Sequence, residues 1–444
     1  MNVKNKFVAA FLILVLLVPV GGGAVLADNH GEPTVDTAAV DLRAETDRMF
    51  TEHAYLIITA MRKSFNEDPD AAQAKEAVFA NGKDLQAATA SLYGEEAGET
   101  FITNWNDHIG YFFDYAEAEA NGDEAAKEEA VNNLLDYAHR SGAAQEEFTE
   151  GRVTEEAVVK SLSEHIGQIT GSYDAYVAGD YQQAYALQSE AMEHLLNNIS
   201  KTLVVAYTDQ FPEMFNDTEA VTNAANLRSD LSFLLAEHFA LLQQSMQNHY
   251  DGEEEYEANR ALLDENTGLL GASIASVYGE EAGAQFNEIW GNHIDFFMHY
   301  VEGTVNENAE EKEAALAELN QYREDFSAFI STATEERVEA ATLSEGLQMH
   351  VDQAIGTFDA YVAGDYEQTW SIAREGYAHM FAPGMLLSSA IVQQFPEKFA
   401  GMPGMPETGF GGMADSSTMN WMLWTLPLLA LGGALVFTRR KTAE

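Results

Sequence analysis

The sequence of 444 residues contains no cysteine, which excludes disulfides, thiolate metal sites and cysteine nucleophiles. It has 9 prolines and only 23 basic residues against 72 acidic ones, so its formal net charge is −49 at pH 7. Such a charge argues against binding to nucleic acid or to an anionic membrane surface. The chain also lacks a Gly-x-Ser-x-Gly elbow, a His-Glu-x-x-His zinc helix and a phosphate loop. What it has instead is a helical pattern that occurs twice.

Both ends of the chain carry apolar runs that are typical of export and anchoring. Near the N-terminus two lysines precede an apolar stretch that ends in small residues, which predicts a signal peptide over residues 1–27. Residues 419–438 form a second apolar run, long enough for a transmembrane helix, and the basic tail 439–444 is expected to stay in the cytoplasm. The sequence between them is therefore predicted to be extracellular.

A stalk rich in glycine, methionine and proline, residues 401–418, precedes the second apolar run and contains a candidate sorting motif. The motif consists of Met405, Pro406, Glu407, Thr408 and Gly409. Together with the apolar span and basic tail it resembles the sortase sorting signal of Gram-positive surface proteins, with Met405 in place of the usual leucine. The resemblance implies cleavage after Thr408 and attachment to cell-wall peptidoglycan. The alternative is that the C-terminal segment remains a plain membrane anchor.

The pattern between the two ends is helical, and it is duplicated. Apolar residues recur at spacings of three and four, and no two-residue alternation appears, so we predict an all-α fold without a sheet. Matching residues are 185 positions apart over most of the duplication, and the string DAYVAGDY occurs in both copies. The duplication predicts one repeat at 42–215 and a second at 227–400, with a linker at 216–226 and a spacer at 28–41 before them.

Short segments rich in glycine, asparagine and aspartate divide each repeat into about six helices. In the first repeat the predicted helices are 42–65, 71–92, 95–120, 123–148, 154–178 and 181–205. Each repeat thus has enough amphipathic helices to close a core of its own. We predict two tandem homologous helical bundles rather than a solenoid, because solenoid repeats are much shorter.

Four histidines recur at matching positions of the two repeats, each on a different predicted helix. They are His53, His108, His165 and His194 in the first repeat, and His238, His293, His350 and His379 in the second. The first three of each repeat lie in apolar or aromatic stripes, and His108, between Trp105 and Phe112, is the clearest case. The apolar stripe ends at the fourth histidine.

Four helices that each present one inward imidazole can build a metal site in a bundle core. Nitrogen ligands of this kind suit copper, zinc or another transition metal, or haem iron. Glu190 and Glu375, one turn before the fourth histidine, could add a carboxylate, and Met61 and Met246 could serve a soft copper ion. The alternative is that each histidine packs in the core and bonds a neighbouring carboxylate or tyrosine hydroxyl.

Longer strings suggest a family. The pattern YGEEAG…W..HI..F..Y, starting at Tyr93 and Tyr278, occurs together with FDAYVAGDY-like and QFPE strings. Over residues 42–400 this combination resembles a group of Gram-positive surface proteins whose members often carry the label copper amine oxidase. That label implies copper and a quinone formed from a tyrosine, usually within an Asn-Tyr-Asp/Glu string, and a β-sandwich fold. This chain has no such string and a helical pattern.

The combined expectation is a non-catalytic binding or interaction protein on the surface of a Gram-positive bacterium. It would bind a transition metal or haem through four core histidines in each repeat. A copper-dependent oxidase and a purely structural wall protein are the alternatives.

Overall fold

The computed structural model describes residues 32–400. Nearly all of this part of the chain is helical, and it contains no strand, which confirms the all-α prediction. The predicted signal peptide, stalk, sorting motif, transmembrane helix and basic tail lie outside the described residues. Within residues 32–400 no helix is both long enough and apolar enough to cross a bilayer.

The first half of the described chain consists of long helices joined by short connections. They are α1 Ala38–Asn66, α2 Ala71–Tyr93, α3 Glu95–Asn121, α4 Glu124–Phe148, α5 Glu155–Val177, α6 Tyr181–His194 and α7 Lys201–Gln210. A π-helical turn, Leu195–Ser200, joins α6 to α7, and a 3₁₀ turn, Pro212–Phe215, follows. The first five predicted helices agree with these bounds to within four residues at each end. The sixth, predicted as one helix, is interrupted by the π-helical turn.

The second half repeats this order. Its helices are α8 Asn223–Asp251, α9 Tyr256–Tyr278, α10 Glu280–Val305, α11 Ala309–Ala333, α12 Ala340–Val362, α13 Tyr366–His379, α14 Phe381–Gln394 and α15 Pro396–Phe399. In both halves the regular helix is interrupted directly after the fourth matched histidine, at the π-helical turn in the first half and at Met380 in the second.

The packed structure begins earlier in the sequence than expected. Thr37 caps α1 by accepting a hydrogen bond from the backbone N–H of Val40. Val35 is 1% exposed, and its carbonyl oxygen accepts a hydrogen bond from Arg228 of α8. The end of the segment predicted as a spacer, 28–41, is therefore part of the folded structure.

Helices α1 and α8 occupy the interior. Buried residues run along almost the whole length of each and on all sides, as expected of a helix that other helices surround. The two helices also pack against each other, and residues 32–400 lie within one compact unit. Where they meet, Gln244 donates a hydrogen bond to Thr59, 3.0 Å away, and these two residues occupy matching positions in the duplication.

One helix of each half also packs against a helix of the other half. Helix α6 packs on α9, and α13 packs on α2. Tyr185 of α6 donates a hydrogen bond to Glu255 beside α9, and its counterpart Trp370 of α13 donates one to Asp70 beside α2. Each donor–acceptor distance is 3.0 Å. The contacts between the halves therefore follow the same plan in both directions. The predicted repeat boundaries, 42–215 and 227–400, remain a prediction.

Candidate metal centre

The structure brings together three of the four matched histidines in each half. The first triad consists of His53 on α1, His108 on α3 and His165 on α5, and the second of His238 on α8, His293 on α10 and His350 on α12. Within each triad one ring nitrogen of every histidine lies within 4.8 Å of those of the other two. Three different helices thus converge on each cluster.

A backbone hydrogen bond orients the middle histidine of each triad. The Nδ1–H of His108 donates to the carbonyl oxygen of Trp105, 2.6 Å away, one turn earlier on α3. Since Nδ1 carries the proton, Nε2 of His108 presents a lone pair, and it lies 3.4 Å from Nε2 of His53. His293 makes the same bond to the carbonyl oxygen of Trp290. Holding the outer ring nitrogen in this way is typical of histidines that ligate metals.

Aromatic rings enclose the triads. The Trp105 ring lies 4.5 Å from that of His108, and Tyr137 of α4 stacks on His108 at 4.5 Å with an angle of 12° between the planes. In the second half Tyr322 stacks on His293 at 4.5 Å and 11°. These rings fix the orientation of the imidazoles and keep water away from them.

Burial keeps the triad histidines neutral. All six are at most 3% exposed. Loss of solvation lowers the pKa of His108 and of His293 to about 3. It also lowers the pKa of His53 well below its ordinary value, and charge on His108 and His165 would lower it further. The rings are therefore uncharged at neutral pH, and the neutral imidazole is the form that binds a metal ion.

Several ring nitrogens have no hydrogen-bond partner among residues 32–400. These are Nδ1 of His53, His165 and His238, and both ring nitrogens of His350. Buried polar atoms of this kind are nearly always bonded, so each unpaired one needs an explanation. A core histidine held by a carboxylate or a tyrosine hydroxyl, the alternative raised from the sequence, does not describe these rings.

The carboxylate next in sequence to His53 serves the contact between the halves. Glu52 accepts hydrogen bonds from Asn81 at 2.8 Å and from the guanidinium of Arg374 on α13 at 2.9 and 3.0 Å. In the second half Glu237 is bonded by Asn266 and by the Ser189 hydroxyl of α6. Neither carboxylate belongs to a triad, so within the described chain the two clusters contain imidazoles alone.

The fourth matched histidine of each half lies outside its triad. His194 bonds the carbonyl oxygen of Ser161 through Nε2, at 2.9 Å, and the amide of Asn198 through Nδ1, at 3.0 Å. His379 bonds the carbonyl oxygen of Gly346 at 3.1 Å. The prediction of four converging histidines is corrected to three, because these bonds tie the fourth ring to the backbone of the neighbouring helix.

The other predicted ligands do not join the triads. Glu190 and Glu375 are exposed on the surface. Met61 and Met246 are fully buried, but Met61 follows His53 on α1 by more than two turns, about 12 Å along the axis. A thioether at that distance cannot share an ion with His53.

The stacked tyrosines were not among the residues predicted from the sequence. Tyr137 and Tyr322 match across the duplication, and each lies on the buried face of the fourth helix of its half. The conserved spacing between copies was the available signal. Comparison of the chain with protein-family models, with curated proteins and with solved structures gives no match. Function is therefore argued from the geometry of the two clusters.

Proposed function

We propose that this is a surface-anchored, non-catalytic protein that binds one transition-metal ion at each histidine triad. The observation that carries the proposal is the presence, in both halves, of three buried neutral imidazoles with ring nitrogens within 4.8 Å of one another. Three such ligands match the number that a protein supplies when it leaves one coordination position open. Both ring nitrogens of His350 lack a hydrogen-bond partner, and an ion would satisfy one of them.

Charge favours copper in its monovalent state. The ligands are neutral and buried, so an ion brings its full charge into an apolar site, and a charge of one is less costly to desolvate than a charge of two. Imidazole nitrogen suits copper, which also stands highest in the general order of affinities of divalent metals for such sites. The faces of the aromatic rings around His108 and His293 attract a cation further.

Haem is a poor fit for the triads. A porphyrin would have to enter between helices whose imidazoles already contact one another and the stacked rings of Trp105 and Tyr137. Burial also supports binding rather than turnover, because an organic amine cannot reach ligands that are at most 3% exposed. The oxidase alternative gains no observation in its favour.

Anchoring at the cell surface is the second part of the proposal. It rests on the signal peptide, the Met405–Gly409 motif, the apolar span and the basic tail, in that order along the chain. Mass spectrometry of cell-wall digests tests it, with a C-terminus at Thr408 joined to peptidoglycan as the expected result. Recovery of the intact C-terminus in the membrane fraction would instead support a plain membrane anchor.

Metal titration of the full chain tests the binding proposal. The protein is purified without metal and titrated with Cu(I) under reducing conditions, and separately with Zn²⁺. We expect two ions per chain for the parent, one for His108→Gln or His293→Gln, and none for the double variant. The exposed histidines His139 and His299, changed to glutamine, are matched controls that should retain both ions.

Two results would contradict the proposal. One is a parent protein that binds no ion more tightly than about millimolar. The other is unchanged stoichiometry in the double variant, provided its circular dichroism shows that it is folded.

A further inference from the structure

The histidine that is excluded from each triad is hydrogen-bonded to a helix that carries a triad histidine. The Ser161 carbonyl oxygen, which His194 bonds at 2.9 Å, belongs to α5 and lies one turn before His165. One turn corresponds to about 6 Å along the axis. The hydrogen bond therefore places His194 against the turn of α5 that precedes His165, and positive charge on His194 would lower the pKa of His165.

The second half has the same arrangement. His379 bonds the carbonyl oxygen of Gly346 at 3.1 Å, and Gly346 lies one turn before His350 on α12. Charge on His379 acts on the pKa of His350 in the same direction. The hydrogen bond from the fourth histidine to a triad helix is therefore a property of both halves.

The Nδ1 lone pair of His194 accepts a hydrogen bond from the side-chain amide of Asn198 at 3.0 Å, on the side of the ring that faces Glu164. Because Nε2–H donates to the Ser161 carbonyl oxygen, Nδ1 carries the lone pair, and it lies 3.7 Å from Oε2 of Glu164, whose side chain is 51% exposed. His194 itself is only 6% exposed. In the second half the position of Glu164 is taken by Met349, which is 43% exposed. In each half, the helix to which the fourth histidine is hydrogen-bonded thus carries an exposed side chain that can ligate a metal ion.

The backbone is irregular at this histidine in both halves. The π-helical turn begins at Leu195, directly after His194. In the second half α13 ends at His379 itself, and α14 begins at Phe381. π-Helical insertions occur frequently at functional sites, where they place a side chain that a regular helix could not.

We infer that His194 and His379 are entry ligands, which receive an ion at the surface and pass it to the buried triad. The inference rests on the proposed metal binding. An ion that displaces the Asn198 amide from Nδ1 of His194 and is held there with Glu164 would exchange these bonds for bonds to the neutral triad nitrogens, beginning with His165. The exchange changes no oxidation state and requires no proton, since neutral imidazoles ligate as they are. Such a transfer gives the ion a route from solvent to triad rings that are at most 3% exposed and cannot take it up directly.

Uptake and release rates of the full chain test the inference, with one triad removed at a time. In the His293→Gln background, where only the first triad remains, uptake of Cu(I) is followed by tryptophan fluorescence in a stopped-flow instrument. Adding His194→Gln should slow both uptake and release by the same factor, about tenfold or more, a size comparable to the effects of outer partners on the affinity or activity of metal sites. Because both rates change together, the affinity and the stoichiometry should not change.

Each background supplies its own control. In the His293→Gln background His379→Gln should leave the rates unchanged. In the His108→Gln background, where only the second triad remains, His379→Gln should slow uptake and release and His194→Gln should leave them unchanged. Glutamine keeps a donor for the Ser161 carbonyl oxygen, so a change in rate reports the loss of the imidazole lone pair rather than of the bond between α5 and α6.

Three results would overturn the inference. Unchanged rates in His194→Gln would show that ions enter by another route while leaving the proposed metal binding intact. Loss of the ion, or weaker affinity with an unchanged rate of uptake, would make His194 a direct ligand. A parent protein that binds no ion would remove the proposed function and the entry ligands together.

Discussion

The neutral state of the triad histidines predicts how stability depends on pH. The pKa of His108 is about 3 in the folded protein, against 6.5 for an ordinary histidine. Between pH 7.5 and pH 5 the unfolded chain takes up a proton at this position and the folded protein does not, so acidification favours unfolding. The loss of folding free energy from His108 alone over this interval is about 2 kcal/mol.

The substitution His108→Gln isolates this contribution. Buried carboxyls act in the opposite direction over the same interval. Burial raises the pKa of Asp230, for example, to about 6, so the folded protein gains a proton there before the unfolded chain does. Comparison of the parent with the variant removes this background. The variant should be destabilised at pH 7.5 by loss of packing, and the difference from the parent should shrink by about 2 kcal/mol at pH 5.

Urea unfolding of the metal-free chain at the two pH values, followed by circular dichroism, measures this difference. The matched control is His139→Gln, since the side chain of His139 is 63% exposed and its loss leaves the triads intact. The difference in unfolding free energy between His139→Gln and the parent should be the same at the two pH values. Parallel loss of stability in the parent and in His108→Gln, within about 0.5 kcal/mol, would refute the description of His108 as a buried neutral ring.

Two further predictions concern the contact between the halves. Arg374→Ala leaves the carboxylate of Glu52, which is 1% exposed, without its bidentate partner and should destabilise the protein by about 3 kcal/mol. Ser189→Ala, at the matching position of the first half, removes a neutral hydroxyl donor and should destabilise it by about 1 kcal/mol. Urea unfolding at pH 7.5 measures both, and equal effects would contradict the assignment of a buried ion pair to Arg374 and Glu52. Gly376→Ala would place a Cβ atom 2.1 Å from the Phe239 ring and should lower the free energy of unfolding by about 1–3 kcal/mol. The same urea experiment measures this change. An unchanged unfolding midpoint would show that α8 and α13 can separate without a loss of stability.

The helices of the first half could be predicted largely because their ends are marked in the sequence. Asp123 accepts a hydrogen bond from the first turn of α4, Thr154 does the same for α5, and Gly122 ends α3 with a positive φ of 64°. The interruption after His194 carries no such mark. A π-helical turn is set by packing with neighbouring helices, which periodicity in one segment does not reveal.

The candidate site was predictable to a similar extent. His53, His108 and His165 lie in apolar stripes, and an apolar stripe indicates which face of a helix turns inward. The stripe ends at His194, and this histidine is the one that lies outside the triad. Periodicity could not show that Arg374, far away in sequence, would hold the carboxylate next to His53.

The hydrogen bond between Gln244 and Thr59 has a consequence for how the chain can be divided. Equivalent positions that meet each other are the mark of a twofold interface between identical subunits. A single copy would offer the side of its central helix that carries Tyr55 and Thr59, which contact Tyr377 and Gln244 of the second half, to a second copy. We therefore expect either half, expressed alone, to form a dimer through this face rather than remain a monomer.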